Sequence, residues 1–178
     1  LTNQQYRDFK NLWHHGEAII LLRHTEKCSI HPEQCGLNDT GLTGQGIVEA
    51  EIIGRGIDEL GEHQIKRFYS PALRTMLTAH FAVHGGEGRD WLRQDGSILP
   101  RIQEAKRADT NLVLVTHSHC LNELQNQNGD YLLDYNAGKL ENLGIAVLAK
   151  LTDSGDLETI GCLRPNQWSK LGKHTDES

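Results

Sequence analysis

The stretch that decides the fold is Ala18-Ile19-Ile20-Leu21-Leu22-Arg23-His24-Thr25-Glu26, five apolar residues running straight into an arginine and a histidine. A short, continuous apolar run reads as a strand buried on both faces in a parallel sheet, because a half-exposed strand alternates. A second run, Leu112-Val113-Leu114-Val115, has the same character and ends at Thr116-His117-Ser118-His119. Two buried strands thus finish on histidines.

Working outward, Tyr6, Phe9, Leu12 and Trp13 recur at helical spacing within the first 17 residues and predict an amphipathic packing helix, with His14 and His15 on its polar face. Thr43 suits the N-cap of a helix carrying Ile47, Ala50, Ile53, Ile57 and Leu60, with Gly61 as its stop. Phe68-Tyr69-Ser70-Pro71 reads as a short strand and turn that ends just before Arg74. Leu73, Met76, Leu77, His80 and Phe81 then give another helical stripe. Residues 85–96 are glycine-rich and charged, and are expected to be loop. Helices follow over 98–108 and 120–127, and two late strands over 143–151 and 157–163 flank the turn Thr152-Asp153-Ser154-Gly155. Alternating strands and helices predict an α/β fold, a three-layer sandwich with a mostly parallel central sheet flanked by helices. A length of 178 residues predicts one domain, 1–178.

A net charge of −6 excludes a general nucleic-acid binder, since phosphate-backbone binding needs a cationic face. Any anionic ligand must be held by a local positive cluster. No apolar run approaches the roughly 20 residues of a bilayer span, so no integral membrane segment is expected. The chain starts at Leu1 with no methionine and no signal-like apolar segment, and we expect either a removed leader or a trimmed sequence.

In open α/β sheets ligands bind beyond the carboxyl ends of the strands. That edge is where Arg23, His24, Arg74 and His117 are expected to meet. Arginine forks make bidentate contacts to phosphate oxygens, and a neutral histidine among cations can attack phosphorus. The residues alone predict an anion site in an α/β protein.

At these same residues the chain resembles the histidine phosphatase superfamily. Leu22-Arg23-His24-Thr25-Glu26 is similar to the family's R-H-G/T/A signature after its first strand. Ser70-Pro71-Ala72-Leu73-Arg74-Thr75, followed by Leu77-Thr78-Ala79, is similar to its S-x-x-x-R-T-x-x-T-A segment, and Val115-Thr116-His117-Ser118 to its second-histidine strand end. Three motifs agree in order and spacing over about residues 18 to 150. Within the superfamily, Arg23-His24-Thr25-Glu26-Lys27-Cys28 with Cys35, and Thr116-His117-Ser118-His119-Cys120-Leu121, resemble the lipopolysaccharide core heptose(II)-phosphate phosphatase group.

The resemblance implies a phosphoglycerate mutase-like fold and a phosphomonoester hydrolase. His24 would be the nucleophile, and Arg23, Arg74 and His117 would be phosphate ligands. For the proton donor the match thins: the chain offers Glu87, Asp90 and Asp95, of which Asp95 is favoured by its place just before the next helix, although absence of an acid is also open. Thr25, Glu26 and Ser118 are candidates for substrate binding. Thr25 bonds a phosphate oxygen or caps the turn, and Glu26 orients an arginine or lies on the surface. The implied substrate is a sugar phosphate, small or on a glycolipid, and the implied place is the periplasm or another exported compartment, with the cytoplasm as the alternative. A non-catalytic phospho-ligand binding or sensor protein with the same pocket is the competing reading. A mutase is weaker, because little chain lies between Arg74 and His117.

No metal or other cofactor is expected, since the arginines and histidines supply the charge a metal ion would otherwise supply. His117-x-His119-Cys120 has zinc-ligand residue types, but positions i and i+2 on a strand-to-helix turn need not converge. Trp91 and Trp168 could stack on a sugar, though packing is the commoner use of tryptophan. Cys28 and Cys35 bracket a polar loop that a disulfide could close, and the other reading is four unpaired thiols. Export, which the resemblance implies, favours Cys28–Cys35 and Cys120–Cys162 bridges.

Overall fold

Both apolar runs form the strands expected of them, and their side chains alternate between two cores. The computed structural model describes residues 1–35, 41–133 and 142–171. Strand β1, Ile19–Arg23, is buried along its whole length. Ile20 and Leu22 enter one apolar cluster, and Ile19 and Leu21 enter the other. A period of two along a strand covered on both faces has this result.

The remaining strands are β2 (Ile65–Tyr69), β3 (Glu87–Gly88), β4 (Asn111–Thr116), β5 (Ala146–Leu151) and β6 (Leu157–Leu163). They form one six-stranded sheet in the order β3-β2-β4-β1-β5-β6. The pairings of β1 with β4, β4 with β2 and β2 with β3 are parallel. Strand β5 runs antiparallel to both β1 and β6. The sheet is therefore mostly parallel, as the sequence predicts.

Helices α1 (Asn3–His14), α2 (Gly44–Asp58), α3 (Leu73–Val83) and α6 (Trp168–Leu171) cover one face, and α4 (Leu99–Ala105) and α5 (Ser118–Asn122) cover the other. Thr2 caps α1 through a capping box with Gln5, and Thr43 caps α2 by accepting from the Gly46 amide. Tyr6, Phe9 and Trp13 are buried, whereas His14 and His15 are exposed. Asn111, itself fully buried, accepts from the Ala18 amide at 3.0 Å and donates to the Trp13 carbonyl at 2.9 Å, so one amide side chain joins α1, β1 and β4.

Three sequence expectations are corrected. The buried face of α3 is Thr75, Thr78, Ala79, Ala82 and Val83, while Leu73 and Met76 of the expected stripe are exposed. The cause is close helix packing: a methyl group on Gly54 of α2 would come within 2.9 Å of the Ala82 carbonyl oxygen, so the facing positions must be small. Residues 85–96 are not all loop, because Glu87–Gly88 adds a parallel edge to β2 and Asp90–Leu92 forms a 3-10 turn. A two-residue strand is too short to leave a periodic signal.

The third correction concerns cysteine. The Cys28–Cys35 disulfide is present, but Cys120 and Cys162 are not bridged. Cys120 is buried in α5 just beyond β4, with its Sγ donating to the Leu92 carbonyl at 3.0 Å. Cys162 lies on β6, three strand spacings from β4. At about 4.8 Å per strand that is far outside the roughly 7 Å Cα reach of a disulfide.

Candidate active site

Arg23 is the last residue of β1, and His24 follows it, with its amide donating to the Thr116 carbonyl at 3.1 Å. The Arg23 amide donates to the Ile145 carbonyl on the other side, at 3.0 Å. The pair is thus clamped between the exits of β4 and the approach to β5. His117 follows the end of β4. Arg74 arrives differently from the strand end expected of it, in the first turn of α3.

The His24 ring donates from Nδ1 to the carbonyl of Thr25 at 2.9 Å. A carbonyl can only accept, so the proton sits on Nδ1 and Nε2 keeps its lone pair. His24 is buried, and burial first, then the charges of Arg74, Arg23 and Lys27, push its pKa down to about 4 despite the opposing bond to Thr25. It is neutral at physiological pH.

His117 stands edge-on to His24 with ring centroids 5.6 Å apart. Arg74 Nη2 donates to its Nδ1 at 3.4 Å, so Nε2 carries the proton and donates to Ser70 Oγ at 2.7 Å. Burial, followed by Arg74, His24, His119 and Arg93, lowers its pKa to about 3. Burial and neighbouring positive charge likewise lower Arg74 and Lys27, and burial alone lowers Arg23. Among the described residues, no carboxylate acts on either histidine.

The loop behind His24 is fixed from below. Thr25 is fully buried, donating its hydroxyl to the Gly46 carbonyl at 2.7 Å, while its amide donates to Thr78 Oγ1 at 3.2 Å. Its hydroxyl and its amide are thus both engaged within the protein. Glu26 is joined to Thr43, which donates to its Oε1 at 2.9 Å, and lies 3.9 Å from His31. Ser118 opens α5 half-buried. Gly46 is needed here, because a methyl group on it would come within 2.3 Å of the Glu26 carbonyl oxygen.

The structure brings Arg23, His24, Arg74 and His117 together but leaves the acids outside that group. Asp95 is exposed, and its charge is felt at Cys120, whose thiol pKa is raised, chiefly by burial. Glu87 pairs with Arg89 at 2.7 Å, and Asp90 is exposed at the start of the 3-10 turn. His119 stacks on His117 at 5.4 Å and donates from Nε2 to the Arg93 carbonyl at 3.2 Å. Among the described residues, no group of three His, Cys, Asp or Glu side chains is placed to hold a metal ion. Trp168 is buried, and Trp91 packs edge-on against Phe68.

Sequence reasoning misses three residues of this surround: Ser70, Lys27 and Arg93. Ser70 stands at the head of the segment containing Arg74, so its place in that motif was a usable signal. Lys27 lies inside the stretch Arg23-His24-Thr25-Glu26-Lys27-Cys28, whereas Arg93 left no signal beyond its charge.

No family model matches the chain. The lipopolysaccharide core heptose(II)-phosphate phosphatase of Escherichia coli O1:K1 / APEC is 27% identical over 110 residues, 58% of this chain and 54% of its own length. The chain thus spans about half the length of the curated relatives it matches. Among solved structures, the protein histidine phosphatase SixA complexed with tungstate superposes with a TM-score of 0.59 at 15% identity, over 84% of this chain and 98% of that one. A variant phosphoserine phosphatase from Entamoeba histolytica in complex with phosphoserine gives 0.51 at 13% identity, over 82% and 95%. The chain thus has the fold of these histidine phosphatases, and over 110 residues its sequence is similar to the heptose(II)-phosphate phosphatases.

Proposed function

We propose that the chain is a phosphomonoester hydrolase that acts through a phosphohistidine on His24. The observation that carries this reading is a neutral His24 whose Nδ1 is committed to the Thr25 carbonyl while two arginines and a second neutral histidine surround it. Nε2 attacks phosphorus, the bond from phosphorus to the ester oxygen breaks, and the alcohol leaves with a proton from an acid. Water then attacks the phosphohistidine, releasing inorganic phosphate and restoring the ring. Arg23, Arg74 and His117 stabilise the charge that builds on the equatorial oxygens in both steps.

For the acid we propose Asp95, which ends the segment packed on α5 beside His117 through Cys120. Substrate of the sugar phosphate class, such as a lipopolysaccharide core heptose phosphate, is supported by the names of the sequence relatives. Those relatives and the Cys28–Cys35 disulfide also favour a periplasmic or otherwise exported setting.

Rapid-quench trapping of an acid-labile phosphoenzyme tests the reading. The label is expected on His24, and His24→Ala is expected to abolish both label and turnover. Asp95→Asn is expected to slow alkyl phosphates far more than nitrophenyl phosphate, whose leaving group needs no proton. Equal losses on both would remove Asp95 from the role. That no carboxylate among the described residues acts on either histidine favours one second reading, a phospho-ligand binding protein that keeps the pocket without turnover. Tight phosphate binding without any label would establish it.

A further inference from the structure

The pocket holds more positive charge than one phosphoryl group requires. Lys27 and Arg93 are not among the four residues assigned to the phosphate, yet both belong to the same surround. Lys27 follows three residues after His24, and its charge bears on His24 and Arg74. Its backbone bridges to Leu42, and the next residue, Cys28, is buried in its disulfide with Cys35, so the base of the side chain is anchored twice. Arg93 stands just beyond the 3-10 turn, and its charge bears on Arg74 and His117. It donates from Nη1 to the Pro71 carbonyl at 3.2 Å, within the turn leading to Arg74, and its own carbonyl accepts from His119, which stacks on His117.

Among the described residues, neither cation has an ion-pair partner, and neither does Arg74. Glu26, adjacent to Lys27 in the chain, is turned to Thr43 and His31 instead. The chain as a whole carries −6, yet among the described residues no carboxylate pairs with these cations. Unpaired cations crowded beside one another repel, and a bound anion relieves that repulsion. A phosphoryl dianion between Arg23 and Arg74 answers those two charges and leaves Lys27 and Arg93 unanswered.

We infer that Lys27 and Arg93 form a second anion subsite flanking Arg74, so that the substrate is a phosphomonoester with a further acidic group, phosphoryl or carboxyl, within a few bonds of the scissile phosphate. This rests on the phosphatase reading and narrows its substrate class. Lys27 and Arg93 act on specificity and not on the bond that breaks.

The test is equilibrium binding of three non-hydrolysable probes at fixed ionic strength: methylphosphonate, methylenediphosphonate and phosphonoacetate. The first carries one acidic group, the second adds a phosphonate, and the third adds a carboxylate, so the last two tell the two kinds of second group apart. At least one is expected to bind about tenfold or more tighter than methylphosphonate, the size of effect one charge-assisted hydrogen bond supplies. Lys27→Met and Arg93→Gln are each expected to lower that ratio, and the double variant to bring it to about one. Equal binding of all three probes by the unaltered protein, or an undiminished ratio in the double variant, overturns the subsite. Hydrolysis of nitrophenyl phosphate is followed in parallel. Turnover with equal probe binding removes only the second subsite, whereas no turnover and no methylphosphonate binding removes the phosphatase reading with it.

Discussion

The imidazole of His117 reaches Ser70 across the gap between β4 and the turn after β2, with Nε2 donating to Oγ at 2.7 Å in a fully buried hydroxyl. The bond fixes the tautomer that turns Nδ1 towards Arg74. Ser70→Ala is therefore expected to lower kcat by roughly ten- to a hundredfold, as loss of alignment does. The lost buried hydrogen bond should cost about 1 to 2 kcal/mol in stability. Steady-state kinetics together with urea denaturation check both, and an unchanged kcat would show that His117 is held by other contacts.

Stability should fall with acidification in a defined window. Both histidines titrate below their ordinary value of 6.5, His24 at about 4 and His117 at about 3. In the unfolded chain each titrates near 6.5. As pH falls below about 6.5 the unfolded state takes up protons that the folded state refuses, so their contribution is complete above that pH and is lost on the way down towards 4. Unfolding free energy measured in urea should be flat above about pH 7 and decline below 6.5, and His24→Asn with His117→Asn should flatten the decline.

Gly46→Ala places a methyl group against the Glu26 carbonyl, a backbone atom that cannot swing aside. The N-terminus of α2 must then move off the His24 loop. A loss of about 1 to 3 kcal/mol is expected, accompanied by a drop in turnover larger than the unfolded fraction explains. Thermal denaturation alongside kinetics well below the midpoint separates the two effects.

The cysteines make a simple count. Unfolding in alkylating reagent without reductant should add two labels, and after reduction four, with the peptide holding Cys28 and Cys35 gaining the second pair. Four labels without reductant would show that the Cys28–Cys35 bridge does not form.

Much of the fold was legible because β1 and β4 lie between two apolar layers and so carry unbroken apolar runs. The caps at Thr2 and Thr43 both precede a periodic stretch, Thr2 in a capping box with Gln5 and Thr43 by accepting from the Gly46 amide. The face of α3 was misread because large apolar residues dominate a periodicity, while tight contact with α2 selects Thr75, Ala79 and Ala82. At the site, the residues at the ends of apolar runs could be picked out by position alone. Ser70 and Lys27 sit inside sequence motifs, but their partners lie elsewhere in the chain, as with Ser70 and His117 47 residues on, and for Arg93 no local pattern points to the site at all. The Cys120–Cys162 pairing failed for the same reason, since strand order, on which it depended, is not written in spacing.

Because β1 is the interior strand between β4 and β5, the amides of Arg23 and His24 are held by both neighbours, and no edge offers a place for them to open first. Their hydrogens can exchange with solvent only when the whole sheet separates. Amide exchange at these two positions should be among the slowest in the molecule, and heat inactivation should follow global unfolding step for step. A partly opened form that has lost its nucleophile but kept its sheet has no place on that pathway.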